Sequence, residues 1–139
     1  MGMSRPRHVT FPTWPWLCAI VVAHLIVSLV HGAAHAQARV ELSPAASAFV
    51  IAVILAGPVL GLAITWPAEQ LGSWLIAATL TASLVFGVIN HFILSSPDHV
   101  AHVAAESRVL FGATAAFLAV LEAAGAWMAW QAARERIRS

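Results

Sequence analysis

Six of the seven histidines in this chain fall into two short clusters. His24, His31 and His35 lie in LCAIVVAHLIVSLVHGAAHAQ, and His91, His99 and His102 lie in NHFILSSPDHVAHVAAE. Each helical residue turns by about 100°, so seven steps from His24 to His31 return almost to the same face. Four more steps reach His35 on that face, one turn on. An i,i+4 histidine pair offers two imidazoles to one metal ion. In the second cluster, His99, His102 and Glu106 share a face if that stretch is helical. Asp98 adds a carboxylate at the expected helix start, and Asn90, next to His91, could orient a ligand or a water.

Imidazole with carboxylate suits copper, iron, zinc or nickel, and so much nitrogen disfavours magnesium and calcium. No cysteine lies among the clustered histidines, Cys18 standing six residues before His24, which argues against thiolate ligation. The expected metal set is His31, His35, His91, Asp98, His99, His102 and Glu106. This exceeds what one tetrahedral zinc needs, so the surplus would build a dinuclear centre or hold the ligands in place. His24 is a deeper candidate. It is either a ligand, with His91, to a haem b, or a buried imidazole bonded to a neighbouring helix. His8, in the polar N-terminal tail, is read as an ordinary surface histidine.

The elements that must position these residues are membrane helices. Of 139 residues, 60% are hydrophobic and 9% charged, with a mean hydropathy of +0.84. So few charges cannot cover a soluble domain of this size. A spanning helix needs about 20 apolar residues, and four segments qualify: roughly 14–36, 44–66, 71–95 and 107–131. The fold expected is an all-α integral membrane protein, a four-helix bundle. Residues 1–13 and the basic segment 132–139 form its tails. Ser96-Pro97-Asp98 reads as a helix start, so a short interfacial helix is expected before the fourth span. A net charge of +1 without a basic run gives no support to a nucleic-acid partner, and none is expected. The lone Cys18 cannot form an internal disulfide.

Arg5 and Arg7 precede the first span, and Arg134, Arg136 and Arg138 follow the fourth. The positive-inside rule places both ends in the cytoplasm of a bacterial inner membrane. Trp14, Trp16, Trp66, Trp74, Trp127 and Trp130 all fall at those cytoplasmic ends, as an interfacial belt. The histidines take the opposite, periplasmic edge. A competing reading is a secretory signal ending at Ala34-His35-Ala36, whose cleavage would remove the first histidine cluster.

Glu122 lies inside the fourth span and is a functional candidate by position. It is either a proton relay or a neutral acid bonded across the bundle. About 160° from Glu106, it is expected on another face. Gly57-x-x-x-Gly61 permits close helix approach, within the bundle or between copies, and Pro58 is expected to kink the second span.

His31-x-x-x-His35 with a later His99-x-x-His102 resembles the histidine boxes of membrane di-iron hydroxylases and desaturases. A second histidine adjacent to His102 and a third box are missing here. A four-helix chain with helix histidines also resembles small haem b cytochromes, where His24 or His31 opposite His91 would ligate. Both resemblances stop at these few residues, and neither assigns a family. The expected function is a small membrane metalloprotein binding copper, iron or zinc at the periplasmic edge, with redox chemistry open to it. The alternatives are a haem b electron-transfer subunit, an accessory or anchoring subunit of a membrane complex, and a metal or proton transporter. Lipid is the certain partner, and a homo-oligomer or complex partner stays open.

Overall fold

The computed structural model describes residues 13–135. The first twelve residues, with Arg5, Arg7 and His8, and the last four, with Arg136 and Arg138, lie outside the described residues.

The chain forms four long helices and, among the described residues, no strand. They are α1 (Thr13–Ala38), α2 (Pro44–Thr65), α3 (Glu69–Ile93) and α4 (Ala105–Glu135). Each is long and apolar enough to cross a membrane. The up-down-up-down order follows from the short links between them, which force neighbours antiparallel. α3 packs between α2 and α4, and α1 packs mainly on α4.

Local sequence sets the boundaries. α1 stops where Arg39 takes a left-handed conformation, φ 54°. There the Val40 N–H bonds the carbonyl of His35 at 3.1 Å, closing the helix in the manner of a Schellman cap. α2 begins at Ser43, whose hydroxyl accepts the Ala46 N–H at 3.2 Å, with Pro44 at the first helical position. α2 carries on through Pro58 after a π-helical stretch over Val50–Ala56. A proline supplies no N–H to the turn before it, and the helix widens there.

Gly57 and Gly61 serve contact within the bundle. A methyl group added at Gly57 would come within 2.5 Å of Thr79, and one at Gly61 within 2.6 Å of Ile76. α2 and α3 therefore meet almost backbone to backbone. At the tryptophan end the core is Leu17, Val21, Ile76, Ala77, Leu80, Ala129 and Ala132. A smaller core of Ala34, Val103 and Phe111 lies at the histidine end. Side chains such as Ile26, Leu29, Val109 and Val120 point outward, as a face solvated by lipid requires.

The short helix expected at Pro97 does not form. Residues 94–104 make successive turns, and α4 begins only at Ala105. The reason is competition for the capping groups. The Asp98 carboxylate turns inward toward His35 and His91, and the Val100 N–H bonds the His91 carbonyl at 3.0 Å. The segment is thus pinned to the end of α3 instead of winding into a helix of its own.

Candidate metal centre

Three helices bring their side chains together at the end of the bundle opposite the tryptophans. α1 supplies His31 and His35 from one face of its last two turns. α3 supplies His91 from a π-helical turn, Ile89–Ile93, closed by the Leu94 N–H on the Ile89 carbonyl at 2.8 Å. Single π turns inserted in α-helices recur at functional sites. Here the turn leaves the His91 carbonyl free for Val100, which draws residues 94–104 over the cluster. α4 supplies the floor. Phe111 is fully buried, and its ring centroid lies 5.0, 4.7 and 5.3 Å from those of His31, His35 and His91.

One ligand atom from each of His31, His35 and His91 falls within 4.8 Å of the others. This is the only such group of three among the described residues. Asp98 adjoins it, with Oδ1 3.4 Å from His35 Nε2 and 3.4 Å from His91 Nδ1. Burial pushes the Asp98 carboxyl up. The close approach of His91, first, and the nearby His35 and His31 outweigh that, and hold it below its usual value. The group is set to be an anion beside the imidazoles.

The outer hydrogen bonds of two imidazoles fix which nitrogen carries the proton. His31 Nδ1 lies 2.8 Å from Thr114 Oγ1, and the Thr114 hydroxyl itself donates to the Leu110 carbonyl at 2.8 Å. With the hydroxyl proton on the Leu110 carbonyl, His31 Nδ1 is the donor to Thr114 Oγ1. His91 Nδ1 lies 3.1 Å from the Asp98 backbone carbonyl, which can only accept, so His91 Nδ1 also donates. In both neutral rings the lone pair then sits on Nε2. Those two Nε2 atoms face each other at 3.2 Å. Two lone pairs at that distance repel unless a cation or an extra proton lies between them. His35 Nδ1 and Asp98 Oδ1 are also buried without a hydrogen-bond partner, where an unmet polar atom is costly.

No protein family, curated protein or solved structure matches this chain. Its function must therefore be read from the residues and their geometry.

The other expected site residues lie elsewhere. His99 and His102 pair with each other, ring centroids 5.2 Å apart. His99 Nδ1 accepts the Ala101 N–H at 3.1 Å, and His102 Nδ1 donates to the Ser96 carbonyl at 2.7 Å. Glu106 is exposed in the first turn of α4, where a carboxylate favours the helix dipole. The Asn90 amide donates to the Phe86 carbonyl of its own helix at 2.8 Å and is not turned to the cluster. His24 meets Glu122 across the bundle, Nε2 to Oε1 3.2 Å, and the Ser83 hydroxyl donates to the same oxygen. Glu122, 4% exposed, does face away from Glu106.

A cavity of about 560 Å³ adjoins the cluster, lined by His31, His35, His91 and Asp98 at one end and by Ser83 and Glu122 at the other. Its remaining walls are chiefly aliphatic, from α1, α2 and α4. Sequence reading missed Thr114, Phe111 and Ser83. A threonine inside a span normally bonds its own helix, as Thr114 also does, so its type carries no signal. Ser28 had one. It stands four after His24 and three before His31, completing their stripe, and it lines the cavity with its buried Oγ unpartnered.

Proposed function

We propose that this protein is a membrane-embedded metalloprotein that binds one transition-metal ion through His31, His35 and His91, with Asp98 as a carboxylate ligand or close counter-ion. The observation that carries the reading is the 3.2 Å approach of two Nε2 atoms whose protons are placed on the far side of each ring. Two nitrogens on a tetrahedral zinc, each about 2.0–2.1 Å from the metal, stand about 3.3 Å apart. The His31–His91 spacing matches without movement, and the third imidazole, His35, in a group spread over 4.8 Å, has to shift inward to join them. Thr114 and the Asp98 carbonyl then act as outer partners that orient the ligands and raise their basicity.

Three imidazoles and one carboxylate suit copper, iron or zinc, and make one mononuclear site. His99 and His102 pair apart from it, so the geometry favours one ion over two. The adjoining cavity gives a small molecule access to a free coordination position, which supports chemistry at the metal over a purely structural ion. With the tryptophan belt and the arginines of the termini toward the cytoplasm, the site sits at the periplasmic edge of a bacterial inner membrane. It requires α1 to be retained, since that helix carries two of the three imidazoles.

Haem b is the alternative ligand. Ligation by His24 and His91 would need His24 Nε2 to leave Glu122, which weighs against it. Purification in detergent, elemental analysis and absorption spectroscopy test the proposal. One copper, iron or zinc per chain without a Soret band is expected, lost on exhaustive chelation and restored by the same metal. A stoichiometric Soret band, or no metal retained or taken up, overturns it.

Thr114→Val gives a sharper prediction. It keeps the side-chain shape and removes the acceptor of His31 Nδ1. Metal affinity should fall about 10- to 100-fold, the usual effect of losing an outer partner, with the helical circular-dichroism signal unchanged. An unchanged affinity in chelator competition would show that Thr114 does not support the ligand.

A further inference from the structure

Deeper in the bundle, Glu122, His24 and Ser83 form a second buried polar group that the metal ligands do not use. Glu122 is 4% exposed and His24 and Ser83 are 1% exposed. Glu122 Oε1 receives both His24 Nε2, at 3.2 Å, and the Ser83 hydroxyl. In its protonated form such a carboxyl–imidazole pair shares one exchangeable proton. On the tryptophan side this group is sealed by packed aliphatics, among them Leu17, Val21 and Leu80. One turn beyond Glu122, Gly125 lets Leu80 and Ile20 close in, to within 2.6 and 2.7 Å of where a methyl group would sit. On the other side, Ser83 and Glu122 line the same cavity as the histidine cluster, with the unpartnered Ser28 hydroxyl along its wall.

We infer that the Glu122–His24 pair is a proton-exchange site, which gives up its proton through the shared cavity when a cation occupies the histidine cluster. The inference rests on the metal reading above. Thr114, which touches His31, and Glu122 are eight residues apart on α4, so the two groups lie about 12 Å apart along the helix. At that distance and an effective dielectric near 20, each unit of net positive charge shifts a proton equilibrium about tenfold toward release. Asp98 offsets only one charge of a divalent ion. The other is compensated when the Glu122–His24 pair becomes anionic. The proton passes to water in the cavity and leaves past the cluster, and the carboxylate stays bonded to Ser83. Facing Glu122, α1 contributes His24 and α3 contributes Ser83, while α2 lines the cavity with Ser47, Val50, Ile54 and Leu55, none titratable. The remaining titratable groups on the cavity are His31, His35, His91 and Asp98.

Calorimetric metal titration in buffers of different ionisation enthalpy counts the protons released per ion bound. The full chain and Glu122→Gln, which keeps a side chain able to bond His24 and Ser83, are compared from about pH 5.5 to 8, a window that brackets the ordinary value of a free imidazole. Wild type should release up to one proton more than Glu122→Gln at some pH in that range, with equal metal stoichiometry. Glu122→Asp should recover part of that release. In the infrared difference spectrum on metal addition, a carboxyl or imidazolium band should be lost in wild type and absent from Glu122→Gln. Stoichiometric metal binding with identical proton release in both proteins overturns the exchange site and leaves the metal site standing. No metal binding in either protein overturns both.

Discussion

His91→Ala is expected to weaken metal binding by more than the roughly 100-fold that loss of an outer partner costs. His91 is the pivot of the cluster. Its Nε2 faces His31 Nε2 at 3.2 Å, its Nδ1 binds the Asp98 carbonyl, and its own carbonyl holds Val100. The substitution removes one of three imidazoles and loosens the tether that brings Asp98 inward. The paired control is His102→Ala. His102 is exposed and bonded to the Ser96 carbonyl, so this variant should bind metal as wild type does. Competition against a chromogenic chelator measures both. A loss at His102 with none at His91 would show that the ion sits on the outer histidines instead.

Gly72→Ala should destabilise the bundle by roughly 3 kcal/mol, the upper range for overpacking a tight contact. A methyl group on Gly72 would overlap the Thr65 backbone nitrogen and lie 2.5 Å from the Gly61 carbonyl oxygen. These are backbone atoms of α2, so no side chain can swing away, and α2 and α3 would have to separate. Gly32→Ala is the contrasting case, with nothing within 4 Å of the added methyl. It should be neutral or slightly stabilising through helix propensity. Thermal or detergent unfolding followed by circular dichroism reads both. A Gly72→Ala midpoint equal to wild type would mean that α2 and α3 do not pack this closely.

Much of this architecture is legible in sequence because hydrocarbon permits few solutions. Long apolar runs broken by Pro44, Pro67 and the Ser95–Pro97 stretch can only be helices that satisfy their own backbone. Alternate helices then return to the same edge, and that topology alone gathers His31, His35 and His91. The stripe of His24, His31 and His35 follows from helical geometry. The stretch after α3 departs from expectation. Ser96-Pro97-Asp98 has the composition of a helix start, but a carboxylate that can meet two buried imidazoles gains more there than by capping a helix exposed to water. Without that helix, the shared face of His99, His102 and Glu106 has no basis. Thr114 and Ser83 are illegible for another reason: each acts through a contact between distant helices, and neither has a periodic partner in its own helix. Glu122 stands out in sequence by position only, and its bonds to Ser83 and His24 supply the partners that sequence could not name.

The central claim is that His31, His35 and His91 share one metal ion, and X-ray absorption on the metal-loaded protein tests it most directly. Three imidazole nitrogens at about 2.0–2.1 Å with a further oxygen ligand are expected, and two imidazoles in His35→Ala. A shell of oxygens without imidazole scattering, or one that is unchanged in His31→Ala and His35→Ala, would contradict it.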